Sequence, residues 1–322
     1  MSTPTPPATT VFYHADCLDG FGAAYAAWRR FGAAAAYRPM HYGDTWSPAD
    51  VADRDIYVLD FSFPPAVLHD IARRARSVTQ IDHHASARAD WAAQLTAFGG
   101  STAARYADPA GGLTVHFDLD KSGARLAWEF FHPATPVPAA LLHVEDQDLW
   151  RFRLPGTRHF CRALRLRPFE FAAWQDLVDA AEASGGAPFQ SLLAEGAAIE
   201  RFLAIEVSRL AGSGLVRPVR LPSGNGSEAL VEGLAINANA VFASDLGGAL
   251  AERSGSFGLI WHLDADGWVK GSLRGCNALD LSAMARHFGG GGHPNAAGFR
   301  LPWSRFAHEV LALHAPPDAP CP

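Results

Sequence analysis

The chain has 322 residues, of which 48% are hydrophobic and 19% charged, with a formal net charge of −6. That balance excludes an intrinsically disordered chain and leaves length for two domains. No apolar run approaches the roughly 20 residues that a membrane helix needs, and the negative balance argues against a surface built throughout for long duplex DNA, though not against a local basic groove.

The first ten residues are a Pro/Thr/Ala stretch without the charged start and apolar centre of a signal peptide, and are expected to be a disordered lead-in (1–10). Residues 11–14 (VFYH) form a short apolar run, followed by an alanine-rich helical stretch at 21–31. Residues 56–61 (IYVLDF) read as a buried strand, Pro64-Pro65 opens a helix at 66–76, and 78–82 (VTQID) is a further strand ending in His83-His84. Residues 113–117 (LTVHF) form another, after which Ser122 caps a helix that carries Trp128. Strands alternating with helices predict an α/β fold with a parallel sheet. One long helix is predicted at 188–210, broken by Gly212-Ser213-Gly214. Strand-like runs follow at 215–221, 229–236 and 257–263, with a loop at 223–227, and Asp266-Gly267 marks a hairpin between residues 259–262 and 268–270. The predicted organisation is a parallel-sheet α/β domain at 11–186, a connecting helix at 187–211 and a smaller α/β domain at 212–322.

In parallel sheets, ligands bind beyond the carboxyl ends of the strands. His14, Asp60 and the triplet Asp82-His83-His84 each fall at such an end, so three strands deliver carboxylates and imidazoles to one sheet edge. Carboxylate oxygens with imidazole nitrogens suit a divalent cation such as manganese. The turn His14-Ala15-Asp16-Cys17-Leu18-Asp19-Gly20 adds acids, although Asp19 is also a natural N-cap for the helix after it. Residues 145–150 (EDQDLW) form an acidic run after an apolar helix at 139–144, readable as a solvated loop or as a further carboxylate source. Near the C-terminus, residues 289–298 (GGGGHPNAAG) read as a backbone that passes close to an anion, with His293 a donor to phosphate. Arg274, at a predicted strand end, is suited to phosphate. The four cysteines, Cys17, Cys161, Cys276 and Cys321, show no CxxC spacing; this argues against a structural zinc site or disulfide framework and fits a reducing, cytoplasmic setting.

Taken in order, the His14–Gly20 turn, Asp60, Asp82-His83-His84, Asp146 or Asp148, and GGGGHPNAAG resemble the motifs of DHH phosphoesterases that carry a DHH-associated C-terminal domain. That family includes nano-RNases, cyclic-dinucleotide phosphodiesterases and single-strand exonucleases. The resemblance covers most of the chain and implies an active cleft between the two domains. It also implies two manganese ions, with magnesium or cobalt as substitutes. One ion would be held by His14, Asp16 and Asp60, and the other by Asp19, His83 and Asp148 (or Asp146), with Asp60 bridging. His84 would face the substrate phosphate and Asp82 would orient the histidines, making Asp82, His83 and His84 the catalytic triplet. Arg274, Gly290, Gly291, Gly292 and His293 would clamp phosphate. The family often sets its two aspartates a single residue apart in the first motif, whereas Cys17-Leu18 separates Asp16 from Asp19 here.

The activity so implied is metal-dependent hydrolysis of short oligonucleotides or linear dinucleotides to mononucleotides, with no membrane partner and with a homodimer left open. Rival readings are a single-stranded DNA exonuclease, a phosphohydrolase for polyphosphate or small phosphate esters, and a non-catalytic nucleotide-binding protein.

Overall fold

A computed structural model describes residues 8–41, 43–99, 102–182, 186–224, 229–275 and 279–312, and the chain divides into two compact units, 1–200 and 201–322. Cys276, Cys321, most of the expected lead-in and part of the 223–227 loop lie outside the described residues.

The first unit opens with β1 (Thr9–His14), which starts two residues before the expected run, then α1 (Leu18–Phe31) and β2 (Ala35–Met40). Next come α2 (Pro48–Val51), β3 (Asp55–Leu59), α3 (Pro65–Ala72), β4 (Ser77–Asp82) and α4 (Ala85–Asp90). The strands β5 (Thr96–Ala97), β6 (Ala103–Ala107) and β7 (Leu113–Asp118) are followed by α5 (Gly123–Phe131) and α6 (Ala139–Asp148). Three more helices follow: α7 (Thr157–Leu164), α8 (Phe171–Glu182) and α9 (Ala187–Ala211), the last carrying the division between the units.

The seven strands lie in the order β2-β1-β3-β4-β7-β6-β5. The ladders from β2 to β7 are parallel, and β6 and β5 join antiparallel at one edge. Strand β2, which the sequence pattern did not show, contains Arg38 and Pro39; it is an edge strand, where a missing N–H is tolerated. Because successive side chains leave a strand on opposite faces, each central strand serves two cores. Val11, Leu59 and Ile81 pack with α1 and α5 to α8, whereas Phe12, Ile56, Val58 and Val78 pack with Val51, Leu68 and Trp91 on the other face. Trp128 is buried in the first of these cores and Trp28 packs against it. The acidic run at 145–148 is not a loop, since α6 continues through Asp148 and buries Glu145 and Asp146.

The second unit holds β8 (Arg217–Pro222), β9 (Leu230–Asn237), α10 (Ala243–Ser254), β10 (Phe257–Leu263), β11 (Trp268–Gly275), α11 (Leu281–His287), β12 (Gly291–His293), β13 (Ala296–Pro302) and α12 (Trp303–Glu309). Its sheet runs β12-β13-β11-β10-β9-β8; only β9 and β10 pair in parallel, joined by the α10 crossover. The Asp266-Gly267 turn joins β10 to β11 in the antiparallel register that pairs Leu263 with Val269. Among the described residues, no helix is long and apolar enough to cross a membrane.

Trp174 of α8 is 1% exposed and meets Phe21 of α1 edge-to-face at 4.9 Å, pinning the outer helix to the helix beside the sheet edge. Replacing Trp174 with Ala should cost about 3–5 kcal/mol, read as a lower denaturation midpoint in guanidinium chloride with little change in slope.

Candidate metal centre

Strands β1, β3 and β4 are adjacent and parallel, so the residues that follow their carboxyl ends converge. After Leu59, Asp60 enters the left-handed region at φ 51°, while its N–H still donates to the Ile81 carbonyl at 3.0 Å. A short polar residue tolerates that conformation better than most, and here it swings the carboxylate out of the ladder direction. Two glycines make room for the site. A Cβ on Gly20 would sit 2.2 Å from the His14 carbonyl oxygen, and one on Gly123 would sit 2.5 Å from the Asp60 Cβ. Helices α1 and α5 therefore approach the strand ends more closely than any other residue allows.

Asp60 is 1% exposed, and among the described residues neither of its oxygens has a hydrogen-bond partner. Imidazoles flank it without bonding geometry: His14 Nδ1 lies 3.6 Å from Oδ2, and His83 Nε2 lies 3.1 Å from Oδ1. The same His83 nitrogen is 3.4 Å from Asp19 Oδ2 and 3.5 Å from Asp148 Oδ2. The buried Asp148 Oδ2 likewise lacks a hydrogen-bond partner among the described residues. Ligand atoms of His14, Cys17 and Asp60 lie within 4.8 Å of one another, as do those of Asp19, His83 and Asp148.

The other acids of the region are satisfied. Asp82 Oδ1 accepts from the His83 N–H at 2.7 Å and from His84 Nδ1 at 2.7 Å, and its Oδ2 accepts from the Ser62 hydroxyl at 2.6 Å. The triplet thus has an internal division of labour, with Asp82 fixing the backbone of one histidine and the ring of the other. Asp19 does not cap its own helix, whose N-cap is Cys17. Instead its carboxylate accepts from the Gly123 and Ala124 N–H groups at 2.6 and 3.0 Å, capping α5 across the site. Asp146 is consumed by the Arg153 and Leu154 N–H groups and the Thr157 hydroxyl. Glu145 pairs with Arg125 at 2.9 Å.

Electrostatics follow from this geometry. Burial raises Asp19, and the charges of Asp60 and Asp148 push it well above the usual carboxylate range. Burial also lifts Asp148, against the pull of His83. Burial disfavours the imidazolium of His83, yet Asp148, Asp60 and Asp19 together raise it well above its ordinary value. His14 is likewise pushed up to about 11, burial being outweighed by Asp60 and Cys17. Asp60 itself is held well below 3.8, the two imidazoles overcoming burial. Protons are thus retained among the acids and imidazoles of a cluster that contains two unsatisfied carboxylates, a donor set that fits divalent cations.

Not every expected site residue joins this cluster. Asp16, at φ 53°, turns outward; its side chain is 86% exposed and lies 3.1 Å from His41 Nε2. Cys17, which the sequence reading did not assign to the site, stands with His14 and Asp60 instead. The signal was its position two residues before Asp19. In the second unit, Gly291, Gly292 and His293 lie in a β-hairpin, paired with Gly298, Ala297 and Ala296. The Gly289 and Gly290 N–H groups donate to the Arg286 and Ala285 carbonyls at the end of α11, so they are not aimed at an anion. A Cβ on Gly290 would lie 2.0 Å from the Gly298 carbonyl oxygen, which accounts for glycine there by strand packing. Arg274 ends β11 with Nη1 donating to the Leu273 carbonyl and Nη2 to the Ser244 hydroxyl.

No family model matches the chain. It is 27% identical over 314 residues to uncharacterized protein R106 of Acanthamoeba polyphaga mimivirus, covering 89% of this chain and spanning 66% of that protein's length. Among solved structures, it resembles the pGpG-specific phosphodiesterase PggH from Vibrio cholerae at 11% identity and a TM-score of 0.42, covering 92% and 94% of the two chains. A manganese-bound exonuclease RecJ gives 14% identity and a TM-score of 0.41, covering 92% of this chain and 86% of that one.

Burial opposes the ionisation of Asp82, but the charge and hydrogen bond of His84 bring its pKa down to about 2, against an ordinary value of 3.8. A carboxyl depressed by folding contributes stability above its unfolded pKa and loses it as pH falls through the folded value; the loss should run from about pH 4 down to pH 2 and amount to roughly 2 kcal/mol. Asp82→Asn should therefore be less stable than the parent chain at pH 7, with the gap narrowing by pH 2.5 in parallel urea titrations. An unchanged gap would remove Asp82 from this role.

Proposed function

We propose that the chain is a DHH-type phosphoesterase that hydrolyses phosphodiester bonds in short oligonucleotides or linear dinucleotides with two divalent ions, manganese by preference. The observation that carries this reading is Asp60: one buried, unbonded oxygen faces the His14 group and the other faces the His83 group. A carboxylate so placed suits a bridge between two cations. His14 and Asp60 would hold one ion; Asp19, Asp60, His83 and Asp148 would hold the second. The oxygen and imidazole donors suit manganese or magnesium. When bound, such a pair supplies an activated water and a positive clamp on the phosphoryl oxygens.

The chain's own groups have separable tasks. Asp82 holds the His84 ring through Nδ1, and on this reading the oriented imidazole contacts a phosphoryl oxygen. That ring lies beside both halves of the centre, its centroid 4.9 Å from the ring of His83 and 5.9 Å from that of His14. Asp19 ties the N-terminus of α5 to the site and so fixes where that helix directs its positive end.

A nucleobase-bearing substrate is favoured over bare phosphate by the segment that leaves α6. Trp150 and Phe152 both adopt positive φ, at 55° and 49°, and Trp150 remains 54% exposed just two residues beyond Asp148. Arg158 lies over both rings, 3.8 Å from the centroid of Phe152 and 5.5 Å from that of Trp150. Strained backbone that presents an exposed indole beside carboxylate ligands is the kind of feature that serves binding, and stacking on an aromatic ring contributes about 1–3 kcal/mol per base.

Chelator-treated protein should be inactive on a short labelled RNA and recover with manganese. Asp60→Ala should lose more than about a hundredfold in activity, since even residues behind metal ligands cost 10- to 100-fold; activity near that of the parent chain would sink the two-ion reading. Trp150→Ala should raise KM for a dinucleotide by about fivefold or more, while KM for a small aryl phosphate ester stays put. Equal losses on both substrates would count against base stacking.

A further inference from the structure

We infer that Cys17, and not Asp16, is the third ligand beside His14 and Asp60, so that the two ion positions differ in chemistry. This inference rests on the two-ion reading above. One position then offers thiolate, imidazole and carboxylate; the other offers three carboxylates and an imidazole.

Local backbone geometry sets the choice. Strand β1 ends at His14 and α1 begins at Leu18, which leaves three residues to make the turn. Cys17 is the N-cap of α1 with extended dihedrals, φ −122° and ψ 136°, and its Sγ falls within 4.8 Å of the ligand atoms of His14 and Asp60. Asp16 occupies the left-handed region one residue earlier, and its carboxylate leaves the site for His41. One turn cannot aim both adjacent side chains inward, and the structure aims the sulfur.

A second observation is independent of the cysteine. Asp60 Oδ2, on the side of Asp60 that faces His14, is buried and has no hydrogen-bond partner among the described residues. Two further residues on, Asp19 serves the neighbouring group with His83 and Asp148. A single helix start thus supplies one ligand to each position, Cys17 to the first and Asp19 to the second.

The chemical consequence is selectivity. A thiolate carries the same charge as the carboxylate it replaces, so the total ligand charge is kept, but its softness favours zinc or cobalt over manganese and magnesium. Binding there displaces the thiol proton to solvent. The carboxylate-rich position keeps its preference for hard ions. We therefore expect a mixed centre, with one soft-tolerant and one hard position.

The test is to load the chelated full-length chain with cobalt(II), measuring both metal content and the sulfur-to-cobalt charge-transfer absorption in the near ultraviolet. Parent protein should bind two equivalents and show the band. Cys17→Ser should lose the band and weaken zinc binding by about tenfold or more, since even residues behind metal ligands cost 10- to 100-fold, while manganese affinity changes little. Asp16→Ala should keep both the band and the stoichiometry. Cys161→Ser should also keep the band, because that thiol is buried beneath α6 with its Sγ directed at the His143 carbonyl. A band that survives Cys17→Ser, or disappears in Asp16→Ala, overturns the assignment. Two equivalents of cobalt without any band overturn it while leaving the two-ion reading intact, and failure to bind cobalt at all overturns both.

Discussion

The burial of the Asp60 carboxylate without a hydrogen bond is the constraint around which the first unit is arranged. Removing a carboxylate from water costs several kcal/mol, and two imidazoles outside hydrogen-bonding geometry offset only part of it. The fold nonetheless spends a left-handed residue, a close helix approach at Gly123 and two flanking imidazoles to keep Asp60 in that position. Stability alone gives no reason for this, since an apolar side chain at the end of β3 would extend the core that Phe61 and Phe63 already form. The cost makes sense if the carboxylate is charged for something other than folding.

Hydrogen-bond satisfaction sorts the acids of the site more sharply than burial does. Asp82, Asp146, Glu145 and Asp60 are all buried, yet only Asp60 has both oxygens unbonded. Asp82 and Asp146 each accept three or more hydrogen bonds, and both are depressed in pKa for that reason: Asp82 by the His84 imidazole, Asp146 by Thr157 and two backbone N–H groups. Such groups have finished their work once the chain is folded. The same criterion separates Asp146 from Asp148, which are two residues apart on one helix and which no reading of composition could distinguish.

Much of this arrangement was legible in the sequence, and the rest was not for identifiable reasons. Hydrophobic runs with β-branched residues marked β3, β4, β7, β10 and β11, and the Ser122 cap marked the start of α5. Asp60, His83 and Asp148 are separated by long stretches of chain, but each follows a strand or ends a helix at the same sheet edge, so order along the chain translated into proximity. Edge strand β2 and the short pair β5 and β6 were invisible because they lack a buried run. The acidic segment at 145–148 looked like a loop since charge usually means solvent; here Arg125 pairs with Glu145, and the Arg153 and Leu154 N–H groups with the Thr157 hydroxyl satisfy Asp146 inside the unit. The Asp16 and Cys17 exchange depends on a single dihedral, φ 53° at Asp16, and periodicity carries no information about one dihedral. The glycines of 289–292 advertised backbone freedom, and in the structure they satisfy close packing against β13 at Gly290 and capping of α11, demands that the same composition meets equally well.

Charge gives the proposed ions a second role besides chemistry. The chain carries a net −6, but before cations bind, the raised pKa values of Asp19, Asp148, His14 and His83 keep protons at the sheet edge and offset the charge of Asp60 and Asp82. Metal binding must release those protons and so strengthens as pH rises. With two divalent cations in place, the edge would gain the positive charge that attracts a phosphodiester. On the two-ion reading, His84 and Trp150 add to that attraction rather than supply it. An acidic chain with a phosphate substrate is then no contradiction: its affinity for the anion resides in the ions it gathers.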